Sequence, residues 1–167
     1  MLEILNYFSK NISKVLKENF NGQPSEKLKT LEEIRIRSNG SIALKFAAGQ
    51  EILCKNISYE DILQTIQLMC DNSIYSYQNE ICNGYITIKG GHRVGISGNC
   101  VIENGKVINI KYISSINFRV AKQILGCGNK ALQYILKIPD NSIYNTLIIS
   151  PPGVRKNYTI KRYNSKY

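Results

Sequence analysis

Asn145-Thr-Leu-Ile-Ile-Ser-Pro-Pro-Gly-Val-Arg-Lys-Asn157 opens like a phosphate-binding loop and then departs from one. Three apolar residues (Leu147, Ile148, Ile149) predict a buried strand running into a Pro/Gly turn, and Ser150, Pro151, Pro152 and Gly153 form the loop's first half. The P-loop pattern continues with Gly, Lys and then Ser or Thr. Lys156 stands in place, but Arg155 occupies the glycine position and Asn157 the hydroxyl position. The glycine lets backbone N–H groups close around phosphate, and the hydroxyl ligates Mg²⁺. Ser150, Pro151, Pro152, Gly153 and Lys156 thus read as the remnant of a nucleotide-binding loop, in which Lys156 beside Arg155 implies weak anion attraction.

The stretch from Arg155 to Tyr167 carries five basic residues, no acidic one and no amphipathic period. Permitted codons for it, shifted by deleting one A after the Val154 codon, translate as Gly-Lys-Thr-Thr-Leu-Leu-Lys-Asp-Ile-Ile. Both missing P-loop residues return, followed by an apolar run of helical period. Residues 155–167 are therefore expected to be an out-of-frame tail, and the ancestral frame to continue into a RecA-like ATPase domain.

The chain has 167 residues, five cysteines and a net charge of +10. Such a charge ordinarily suggests nucleic acid or an acidic membrane. Half of it is Arg155, Lys156, Lys161, Arg162 and Lys166; without them 17 basic residues face 12 acidic ones, a net of +5. That is ordinary for a soluble protein, so nucleic acid is not the favoured partner. The cysteines (Cys54, Cys70, Cys82, Cys100, Cys127) are odd in number, widely spaced and without a C-x-x-C, and His92 is the sole histidine. Reduced thiols in a core are expected, and no metal site. No stretch has the length of a membrane span or the build of a signal peptide, which predicts a cytoplasmic protein.

Apolar spacing predicts a helix from Met1 to about Asn19 and a short one over Lys27–Glu33. Strands are expected at Ile34–Arg37, Ser41–Phe46 and Gln50–Lys55, the first two joined by a Ser38-Asn39-Gly40 turn. Ser58 and Asp61 have capping-box spacing for a helix carrying Ile62, Leu63, Ile66 and Met69. Further strands are expected at Ile81–Lys89, Arg93–Ser97, Cys100–Ile102, Val107–Ile110 and Ile116–Val120. Gly90-Gly91 and Glu103-Asn104-Gly105 read as tight turns. A loop at Gly126–Gly128, a helix over Asn129–Lys137 and a linker at Ile138–Ser142 complete the pattern.

The class is therefore α+β: a small mixed α/β N-terminal domain (1–140) with antiparallel strands and flanking helices. The start of a P-loop ATPase domain (141–154) follows, then the tail (155–167).

Other groups have plain structural readings. Arg35 and Arg37 alternate with Ile34 and Ile36, as on the solvated face of a strand. His92 has no Ser or Cys partner in a recognisable motif. Tyr75, Tyr77 and Tyr85 read as core packing with one wet edge. Glu32-Glu33 and Glu60-Asp61 read as capping groups at strand or helix entries.

Several segments in order resemble the stage III sporulation protein AA family. They are Glu33-Ile-Arg-Ile-Arg37, Ser73-Ile-Tyr-Ser-Tyr77, Glu80, Gly84-Tyr-Ile-Thr-Ile-Lys-Gly-Gly-His-Arg-Val-Gly95, Gly98, Ser114-Ser-Ile-Asn-Phe-Arg119 and Thr146-Leu-Ile-Ile-Ser-Pro-Pro-Gly153. That family is similar to hexameric ATPases of secretion and pilus systems. The resemblance implies a mother-cell motor, peripheral to the membrane, that energises a sporulation channel of membrane-embedded proteins. It implies ATP and Mg as the intact family's cofactors, none of them in this chain, and Arg93 and Arg119 as possible contacts to nucleotide or to a neighbouring subunit. With its P-loop broken, this chain is expected to be inactive and to serve at most as an assembly module. A basic RNA- or DNA-binding module using the tail and glycine loop is the alternative. Restoration of the frame by slippage would instead give some full-length ATPase.

Overall fold

The computed structural model describes residues 2–122, 129–137, 142–147 and 149. Its contacts divide the chain into two units, 1–121 and 122–167.

The first unit is a six-stranded antiparallel sheet with helices on one face. A 3-10 helix at Leu2–Tyr7 leads into α1 (Lys10–Asn21), and α2 (Ser25–Lys29) precedes the first strands. These are β1 (Leu31–Arg37), β2 (Ile42–Phe46) and β3 (Gly49–Leu53), followed by α3 (Tyr59–Met69) and α4 (Gln78–Cys82). Then come β4 (Tyr85–Ile88), β5 (His92–Glu103) and β6 (Lys106–Arg119). The strand order is β3-β2-β1-β6-β5-β4, so the last long strand closes against the first.

Period-two alternation decides which face is buried. Ile34, Ile36, Ile42, Leu44, Ile86, Val94, Ile116 and Phe118 point to one side and are buried with Ile12, Leu16, Ile62 and Ile66 of the helices. Arg35, Arg37, Lys45, Thr87, Arg93 and Arg119 alternate with them and are exposed.

Two helix starts are tied together by one carboxylate. Ser58 caps α3, completing a capping box with Asp61. Ser9 caps α1 and donates to Asp61 Oδ1 at 2.9 Å, Asn11 donates to Oδ2 at 2.9 Å, and the Ser9 N–H donates to Thr65 Oγ1 at 3.0 Å. This bracing breaks the helix expected over 1–19 into two pieces at Ser9.

The expected strand at Ile81–Lys89 starts as a helix. Residues 78–82 form α4, Gly84 turns at φ +80°, and only then does β4 begin. Glu80 on α4 accepts the Thr87 N–H at 2.8 Å and so occupies a donor of the sheet's β4 edge. The short strands expected at 93–97, 100–102, 107–110 and 116–120 are parts of one long hairpin. Asn104 (φ +50°) and Gly105 (φ +74°) make its turn, the left-handed pair a type I′ hairpin needs. Register shifts at Ser97/Asn99 and Val101/Ile102 interrupt its pattern.

In the second unit, α5 (Asn129–Ile135) runs into a small hairpin of β7 (Leu136–Lys137) and β8 (Ser142–Ile143). Leu147 and Ile149, expected in a buried strand, carry no strand assignment and are 82% and 83% exposed. Ile148, the 126–128 loop and linker residues 138–141 lie outside the described residues, as do Ser150 to Tyr167.

Candidate functional site

The exposed face of the sheet gathers the polar residues of β1, β6, β5 and β4 into rows. In one row Glu33, Arg119 and Arg93 are consecutive cross-strand partners, with Thr87 beyond. In the next, Arg35, Asn117, Gly95 and Tyr85 are partners in the same way. The family resemblance named Arg93 and Arg119 without relating their positions; the register places them side by side.

Glu33 anchors the face. Its side chain is 11% exposed and forms an ion pair with Arg35 at 2.6 Å. Burial pushes its pKa up, but the Asn117 amide, the Arg35 hydrogen bond and charge, and the Lys45 charge outweigh it and hold the carboxyl below its ordinary range. Glu33 is therefore an ionised, buried partner inside a strand, not the entry cap expected from its sequence position. Asp61, by contrast, does cap a helix.

Arg93 lies over the Tyr85 ring, its Cζ 5.2 Å from the centroid. Opposite Tyr85 stands Gly95, which leaves the ring uncrowded on that side. Among the described residues, no carboxylate forms an ion pair with Arg93 or Arg119. Two arginines directly opposite one another repel unless an anion stands between them. Asn117 Oδ1 is buried on the same face with no hydrogen-bond partner among the described residues. The face thus offers two cations, one of them oriented by an aromatic ring, beside an unused acceptor.

Two of the three tyrosines depart from the core reading, and Tyr77, which packs against the core, keeps to it. Tyr75 is 93% and Tyr85 40% exposed, while Tyr77 is half-buried. Of the thiols, Cys70 is in the core as expected and pushed up to about 11 by that burial, Cys82 is half-buried, and Cys54 and Cys100 are exposed. Cys127 lies outside the described residues, as do Ser150, Pro151, Pro152, Gly153 and Lys156. Among the described residues no three His, Cys, Asp or Glu side chains cluster as a metal site would need, and no helix is long and apolar enough to cross a membrane.

A crystal structure of the VirB11 ATPase from the Brucella suis type IV secretion system, in complex with sulphate, superposes with a TM-score of 0.44 at 12% identity. That match covers 99% of this chain and 45% of the other. Stage III sporulation protein AA of Bacillus subtilis (strain 168) is 37% identical over 142 residues, which is 83% of this chain and 44% of that protein. The chain therefore spans somewhat under half the length of that curated relative. The family model described as "Sporulation stage III, protein AA" matches residues 2–164. By this match and this identity, the chain belongs to the sporulation stage III protein AA family.

Proposed function

We propose that this chain is the N-terminal module of a sporulation ATPase, and that its open sheet face meets phosphate or a neighbouring subunit through Arg93 and Arg119. The observation that carries this reading is the adjacent pair of arginines, with neither of which a carboxylate among the described residues forms an ion pair. Tyr85 orients Arg93, and Glu33 draws Arg35 away from the pair. A phosphate between the two guanidiniums would relieve their repulsion with charge-assisted hydrogen bonds. A donor from ligand or subunit would satisfy Asn117 Oδ1.

The motor chemistry belongs to the continuation of the Leu147–Gly153 segment in its P-loop frame. ATP and Mg would be held there, and the intact protein would work as a hexameric ring on membrane-embedded channel proteins from the mother-cell cytoplasm. The chain with Arg155 and Asn157 at the loop positions binds no nucleotide of its own.

The test is ATP hydrolysis by the continuous-frame protein and by its Arg93→Ala and Arg119→Ala variants. Arginines that stabilise transferring phosphate contribute about 10³-fold or more to turnover, so a loss of that order is expected. If instead they hold a neighbouring subunit, ring assembly falls at low concentration. Variants with unaltered turnover and unaltered assembly would refute the reading.

A further inference from the structure

His92 opens β5, and its ring is used in an unusual way. Its Nδ1 accepts the Ala121 N–H at 2.9 Å. One residue earlier, the Val120 N–H donates to the Glu32 carbonyl at 2.9 Å. The chain leaving β6 is thus held by two successive hydrogen bonds of different chemistry, one to a carbonyl and one to an imidazole nitrogen. Ala121 is also the last residue of the first unit.

A nitrogen that accepts a hydrogen bond carries no proton, so this contact requires the neutral ring with its proton on Nε2. The ring is fixed from several sides. Tyr7 meets it edge-on at 6.1 Å and Phe118 lies tilted at 5.0 Å. Gly90, at φ +82°, passes so close that a Cβ there would stand 3.0 Å from Nε2. The Tyr7 hydroxyl donates to the Lys89 carbonyl at 2.9 Å and secures that turn. The Gly90-Gly91-His92 run therefore has a structural job: it seats the imidazole against the end of β6.

We propose that His92 is a proton-operated latch on the segment leaving β6. In the neutral state Nδ1 holds the Ala121 N–H. A proton taken from water onto the Nδ1 lone pair turns the acceptor into a donor facing a donor, and the Ala121 N–H passes to solvent. Among the described residues of the first unit, the titratable groups on the surrounding elements are Glu3 and Tyr7 of the first helix, Glu32 and Glu33 of β1, Lys89 of the turn, Arg93 of β5 and Arg119 of β6. Burial, and after it the charges of Asp71 and Glu3, push the Tyr7 hydroxyl's pKa up. The sign follows from the acceptor role: the folded state favours neutral His92 and holds its folded pKa below the ordinary histidine value of about 6.5, so the bond is complete at that value and above, and is lost as pH falls through the lower, folded one.

The test is amide hydrogen exchange of the full chain followed by NMR from pH 8 to pH 5, with rates corrected for intrinsic pH dependence. Ala121 protection should fall by about tenfold while Val120 protection holds. His92→Asn places an amide oxygen near the Nδ1 position and should keep Ala121 protected at both ends of the range. Should that variant fail to fold, the imidazole ¹⁵N shifts of the unsubstituted chain decide the matter. A proton on Nε2 at pH 8 supports the latch, and a proton on Nδ1 overturns it. Equal protection of Ala121 and Val120 at every pH also overturns it.

Discussion

Replacing Asp61 with Ala should loosen two helices at once. Its carboxylate accepts from Ser9 Oγ and Asn11 Nδ2, both at 2.9 Å, and from Ser58 N and Oγ at 3.2 and 3.1 Å. Loss of a capping box costs about 1 kcal/mol. The part-buried Ser9 contact, a hydrogen bond to a charged group, adds about 1.5 kcal/mol. The exposed Asn11 contact adds little. Asp61→Ala should therefore cost about 2–3 kcal/mol and lower Tm by roughly 8–12 °C in a domain of this size.

Burial disfavours the charged form of Asp61, but hydrogen bonds from Asn11, Ser9 and Ser58 outweigh it and hold its pKa below the usual value. The folded pKa is depressed, so this stabilisation is present above the unfolded value of about 3.9 and is lost as pH falls through the folded one. Thermal unfolding by circular dichroism at pH 7 and at steps down to pH 3 measures both effects. The variant's deficit should shrink in acid. A deficit below about 0.5 kcal/mol at pH 7, or one independent of pH, would refute the double-cap account.

Three further outcomes are expected. Gly98→Ala should destabilise by about 1–3 kcal/mol in urea unfolding, because its Cβ would meet Ile113 Cα and the Lys111 carbonyl at 2.9 Å; Gly95→Ala, whose nearest contact is 3.6 Å, should not. Glu33→Gln should cost about 1–2 kcal/mol at neutral pH by unpairing Arg35. The depressed Glu33 carboxyl contributes stability above its unfolded pKa and loses it as acid protonates the folded group, so the variant's urea midpoint should depend less on acid. Removing residues from 142 onward should reduce aggregation seen by light scattering, because it deletes the exposed Leu147 and Ile149.

The alternation of Ile34, Arg35, Ile36 and Arg37 showed which face of β1 is buried, and Ser58 with Asp61 showed where α3 starts, because each signal is local. Ser9 gave a weaker signal: its hydroxyl accepts the Ile12 N–H as a local cap, but the groups that brace it, Thr65 and Asp61, are distant in sequence. The β5–β6 hairpin read as fragments because Gly98 and Tyr112 (φ +49°) sit where the register slips, and a slip breaks the period-two pattern. Residues 81 and 82, the end of α4, read as strand because Ile81 merges with the apolar residues of β4; the glycine at position 84, which turns at φ +80°, was the available sign of a break. At the candidate site, the adjacency of Arg93 and Arg119 follows from strand pairing, which no single segment encodes. Glu33 looked like a cap because a partner that holds it ionised, Asn117, is far along the chain.

The central claim, that this chain is the first part of an ATPase, is tested most directly by sequencing the DNA from the Gly153 codon several hundred bases onward. The account predicts one extra base after the Val154 codon. Removing it should open a frame that completes the P-loop with Gly-Lys-Thr and later supplies a metal-binding carboxylate on a strand. An extra base with no ATPase frame beyond it, or a continuous frame encoding Arg155 to Tyr167 and an unrelated domain, would contradict the claim.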